Sequence, residues 1–96
     1  MHAAALRVEV RIPGVASLKG KRRVLRGLRA ALETAFPVGI AEVGRQDAWQ
    51  FATMGVALVS GEHGQLESMI SAIQRTILEY PEVELVEIGV AYLEEE

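Results

Sequence analysis

Residues 6–12 alternate without a break: Leu6, Val8, Val10 and Ile12 are apolar, and Arg7, Glu9 and Arg11 stand between them. A period of two over this span predicts a strand with one buried face. Pro13-Gly14 ends it, because proline cannot donate to a continuing ladder. Ser17 then offers a hydroxyl to the unpaired amides of a helix start. From there the period changes. Leu18, Val24, Leu25, Leu28, Leu32 and Phe36 recur at helical spacing until Pro37 stops the run. Gly20 and Gly27 fall inside this helix and cost it up to about 1 kcal/mol each relative to alanine, so packing must compensate.

The switch in period then repeats. Residues 38–43 read as a second strand, residues 44–50 as a hairpin connection, and Phe51–Ser60 as a third strand. Gly61-Glu62-His63-Gly64 reads as a turn. Leu66, Met69, Ile70, Ile73, Ile77 and Tyr80 predict a second amphipathic helix, closed by Pro81. Residues 83–93 form a fourth strand, alternating across Val86, Ile88, Val90 and Tyr92, and the acidic tail 94–96 is expected to be solvated and frayed. The order β-α-β-β-α-β, with right-handed crossovers, predicts an α+β, ferredoxin-like fold: one domain over residues 1–96, with a four-stranded antiparallel sheet and two helices on one face. In that topology the turn into the first helix, the hairpin and the turn at residues 79–82 gather at one end.

Charge is the compositional feature that points to a partner. The net charge of −3 conceals a strong asymmetry: eight of the ten Lys and Arg residues fall at or before Arg29, where Glu9 is the only acid. Residues 1–32 therefore carry +7 and residues 33–96 carry −10. With residues placed 100° apart, Lys19, Arg22, Arg23, Arg26 and Arg29 form a stripe opposite the apolar side of the first helix. Lys21 departs from it and points toward the apolar side. Cations in a first turn oppose the helix dipole at about 0.3–1 kcal/mol each when exposed. Within the helix only Glu33 can answer them, and it reaches only Arg29. Two readings are open, a solvated face or a docking place for an anion such as nucleic-acid phosphate or an acidic protein surface. RNA is the preferred anion.

Several apparent motifs fail on inspection. Gly14-x5-Gly20-Lys21-Arg22 is one residue too long for a P-loop and lacks the Ser/Thr that would ligate magnesium. The Gly61–Gly64 stretch mimics a KH loop but joins a strand to a helix and carries an acid. Strands one and three lack the aromatics on which RRM domains stack bases. There is no Cys, and His2 and His63 are read as having no helical i, i+4 partner, so no metal site is predicted. No cofactor motif is present. An enzymatic role would rest on Asp47 and Glu42 alone and is the weakest reading. No apolar run approaches the ~20 residues of a membrane span and no leader pattern is seen, so the chain is expected in the cytoplasm.

Two stretches, Pro13-Gly14-Val15-Ala16-Ser17-Leu18-Lys19-Gly20-Lys21-Arg22 and Ala41-Glu42-Val43-Gly44-Arg45-Gln46-Asp47-Ala48-Trp49-Gln50, resemble the YlxP-like family, small bacterial proteins classed as a domain of unknown function. The family often has Glu where Gly20 stands, which would complete a capping box with Ser17. The resemblance implies a ferredoxin-like fold, a cytoplasmic setting and genes placed among those for transcription, translation initiation and ribosome maturation. It supplies no catalytic residue. The expectation is a non-enzymatic module that engages structured RNA or the ribosome through Lys19, Lys21, Arg22, Arg23, Arg26, Arg29 and Arg45, with Gln46, Asp47 and Trp49 as hairpin contacts. The alternative is a homo-oligomeric or small-ligand module whose contact surface is the open sheet face or the hairpin.

Overall fold

The computed structural model describes residues 1–95. Its elements follow in the order β1 (His2–Arg11), α1 (Leu18–Ala35), β2 (Gly39–Gly44), β3 (Phe51–Ser60), α2 (His63–Glu79) and β4 (Glu84–Glu94). The strands form one sheet in the order β2-β3-β1-β4, with every neighbouring pair antiparallel. This is the ferredoxin-like α+β arrangement read from the sequence.

The two periods meet in one core. Ala4, Leu6, Val8 and Val10 of β1 and Ala52, Met54, Val56 and Leu58 of β3 turn one parity of side chains inward. They meet Val24, Leu25, Leu28 and Leu32 of α1 and Leu66, Ile70, Ile73 and Ile77 of α2. Each fully buried Val, Leu or Ile contributes roughly 1.5–3 kcal/mol relative to exposure. Ser17 caps α1 as expected: its hydroxyl accepts from the Gly20 amide at 3.0 Å. Gly27 allows the helix to approach a neighbour, since a Cβ there would lie 2.4 Å from Tyr80 Oη.

The strands are longer than the alternating pattern at two places. β1 begins at His2, because Ala3, Ala4 and Ala5 pair with β3 on one side and β4 on the other. At the far end of the chain, Glu94 lies opposite His2 in the ladder and the Glu95 amide donates to Met1 O at 2.8 Å. The tail expected to fray is therefore paired through Glu95, while Glu96 lies outside the described residues. Likewise the stretch expected to be a turn is the start of α2, with Glu62 at the N-cap and His63 and Gly64 already helical. No helix among the described residues is long and apolar enough to cross a membrane.

Candidate functional site

The start of α1 and the β2–β3 hairpin meet at one end of the sheet, where Arg11 of β1 stands opposite Phe51 of β3. One residue joins them. Lys21 is 1% exposed, and its ammonium donates to Arg45 O at 2.6 Å and to Ala48 O at 2.7 Å. It also lies 3.0 Å from Glu42 Oε2. Two carbonyls thus accept hydrogen bonds from the ammonium and Glu42 supplies the counter-charge, which offsets much of the cost of burying it. Arg45 adopts φ 59°, the one non-glycine residue in the left-handed region among the described residues, and its carbonyl also accepts from the Ala48 amide at 3.1 Å. The hairpin is folded around the lysine.

Two residues expected among the exposed cations thus lie elsewhere. Lys21 is buried and paired within the chain, where it anchors the loop with Glu42 as its counter-ion. Arg45 does not join the α1 cations either. Its guanidinium lies 5.2 Å from the centre of the Phe51 ring and its Nε 3.5 Å from Glu9 Oε2. Glu9 belongs to the β1 parity that faces away from the helices, where Thr53 Oγ1 lies 2.9 and 3.0 Å from its two carboxylate oxygens and Arg7 approaches at 3.7 Å. The arginine expected beside the basic helix is thus part of a polar network on the opposite side of the sheet.

The remaining cations are where the spacing puts them. Lys19, Arg22, Arg23, Arg26 and Arg29 are all exposed on the outside of α1. Arg23 pairs with Glu82 from the turn after α2 at 3.1 Å, and Arg29 with Glu33 at 3.4 Å. Lys19, Arg22 and Arg26 make no ion pair among the described residues. Arg22, Arg26 and Arg29 border a shallow groove between α1 and the sheet, floored by Leu25 and Met54, with Glu42 on its far wall. Gln46, Asp47 and Trp49 are exposed at the hairpin tip, the tryptophan by 54%.

At the other end of the sheet lies a cluster that sequence reading missed. His2, His63 and Glu94 bring three ligand-type atoms within 4.8 Å of one another. The signal was topological: β1 starts, β3 ends and β4 ends side by side, and α2 begins three residues after Ser60. His63 does have an i, i+4 partner in Glu67, whose Oε1 lies 3.4 Å from Nε2. Hydrogen bonding to that same glutamate pushes the Tyr92 hydroxyl above the ordinary tyrosine range.

The sequence matches, over residues 3–90, the model of a family described as a protein of unknown function, DUF503. It is 38% identical over 68 residues to the uncharacterized protein YlxP of Bacillus subtilis (strain 168), covering 71% of this chain and 74% of that protein. Among solved structures it resembles the de novo designed protein Foldit4, with a TM-score of 0.52 at 11% identity, covering 98% of this chain and 99% of that one. At such identity the likeness concerns the fold alone.

Proposed function

This chain belongs to the DUF503 family, whose function is unknown, and we propose that it is a non-enzymatic module that binds structured RNA along the outer face of α1. The observation that carries the reading is the stripe of Lys19, Arg22, Arg26 and Arg29, four exposed cations answered within the stripe by Glu33 alone. Spaced three, four and three residues apart, they occupy one side of the helix over about 15 Å at ~1.5 Å per residue. That length spans several successive phosphates, and guanidinium groups bind phosphate oxygens in a two-pronged geometry. Such contacts follow the course of an RNA backbone without reading its bases. A bound polyanion would also offset the cost of placing Lys19 and Arg22 against the helix dipole. The gene placement implied by the YlxP-like resemblance is in keeping with this.

Fluorescence anisotropy of a labelled RNA hairpin tests the proposal. Neutralising four phosphates weakens binding by about 50–150-fold between roughly 50 and 200 mM salt. The variant Arg22→Glu/Arg26→Glu is expected to bind at least tenfold more weakly at low salt. No binding at low salt, or the same affinity in the variant, refutes the reading.

The open sheet face favours a second reading, association with another copy. Away from the Glu9 network, that face is a depression of about 610 Å³ lined by Ala3, Ala5, Ala57, Val59, Ala91 and Leu93 among others. Val59 and Leu93 are 56% and 62% exposed. An exposed apolar patch of this kind marks a place for association with another surface. Light scattering decides it: a dimer that Val59→Glu converts to monomer supports the reading, and a monomeric parent at high concentration removes it.

A further inference from the structure

We propose that His2, His63 and Glu94 form a site for a divalent transition-metal cation of the zinc class. It lies at the end of the sheet remote from the α1 stripe and is independent of the RNA reading. Both imidazoles aim the same kind of atom at the same place: His63 Nδ1 lies 2.9 Å and His2 Nδ1 3.4 Å from Glu94 Oε1. The rings stand edge to face with centroids 5.6 Å apart.

Nε2 of His63 faces the Glu67 carboxylate at 3.4 Å, an outer contact that turns Nδ1 toward Glu94. A ring nitrogen 2.9 Å from a carboxylate oxygen needs a positive charge between them, either a proton or a metal cation. His2 Nδ1 is buried and has no hydrogen-bond partner among the described residues. Two imidazole nitrogens converging on one carboxylate oxygen are a donor set that a metal cation fits.

Dimensions and donor types narrow its identity. Ligands about 2.0–2.2 Å from a zinc ion at the tetrahedral angle lie roughly 3.3–3.6 Å from one another, which matches the 3.4 Å separation of His2 and is somewhat wider than the 2.9 Å of His63. All three atoms lie within 4.8 Å of one another, so a modest swing of the half-exposed His63 completes the triangle. Two imidazoles and one carboxylate suit zinc, cobalt or nickel far better than calcium or magnesium. The carboxylate behind His63, itself held by Tyr92, is the outer partner that metal-binding histidines ordinarily have. With His63 and Glu94 each about half exposed, at 52% and 53%, a fourth position stays open to water. The ion would fasten the first turn of α2 to the ends of β1 and β4.

Titration of the full chain with Co²⁺ near pH 7.5, followed by competition with Zn²⁺, tests this. The expected result is one ion per chain with the strong visible absorption of four-coordinate cobalt. His63→Ala and His2→Ala should each weaken binding by 100-fold or more, and Glu67→Gln, which touches no ion, by about 10–100-fold. His63→Gln, with its circular dichroism compared to the parent, guards against a folding defect and should weaken binding equally. Only the weak spectrum of hydrated cobalt, or an affinity unchanged by His63→Ala, overturns the site. Imidazole nitrogen resonances that show both rings protonated and unmoved by an equivalent of Zn²⁺ overturn it too, assigning the cluster to protons.

Discussion

Replacing Lys21 with methionine keeps most of the side-chain volume and removes the ammonium. The change leaves Glu42 Oε2 buried without its counter-ion, together with Ala48 O, which loses its 2.7 Å donor. Arg45 O keeps the Ala48 amide. Removing one partner of a buried ion pair costs about 3–5 kcal/mol. Because the Glu42 side chain is 25% exposed, water relieves part of that, and about 3 kcal/mol is expected. In a domain of this size such a loss lowers the melting temperature by roughly 12–24 °C. Adding Glu42→Leu removes the stranded carboxylate, so Lys21→Met/Glu42→Leu should recover 1–3 kcal/mol relative to the sum of the single changes. Urea unfolding of the four proteins, followed by far-ultraviolet circular dichroism, measures the cycle. A loss below about 1 kcal/mol for Lys21→Met, or additive single changes, would refute the claim that this lysine holds the hairpin.

Other substitutions separate the forces acting elsewhere. Gly27→Ala should fail to deliver the usual gain of about 1 kcal/mol for alanine in a helix, because its Cβ would meet Tyr80 Oη at 2.4 Å; in a Tyr80→Phe background the same change should stabilise, a reversal visible by thermal melting. Ser17→Ala should cost about 1 kcal/mol through loss of the cap on α1, read from the urea midpoint. Thr53→Val deletes the donor facing Glu9 and should cost about 1–3 kcal/mol, with hydrogen exchange rising first in the β1–β3 ladder. Arg23→Ala, whose pair with Glu82 is exposed on both sides, should change stability by less than about 1 kcal/mol.

What the sequence discloses here depends on whether one residue's position suffices to read it. Core positions of α1 and β3 follow from periodicity, since burial repeats along a single element. The first turn of α2 was illegible because Glu62 makes no side-chain cap, so nothing marked the helix start. Ala3, Ala4 and Ala5 gave no strand signal because alanine has no pattern to show; their extended form is imposed by ladders on both sides. Lys21 was visible as a departure from the basic stripe, but its partners are two carbonyls and an acid on another element. Arg45 and the His2–His63–Glu94 cluster were hidden for the same reason. Each depends on which face of the sheet, or which of its ends, a distant residue reaches.

Arg22, one of the outward cations, is the immediate chain neighbour of the buried ammonium that grips the loop bearing Trp49. A polyanion drawing on that guanidinium tugs the same helical turn, and any adjustment passes through two carbonyls to the indole. If the proposed RNA binding holds, a change in tryptophan emission on adding RNA is the expected label-free readout of occupancy of the helix.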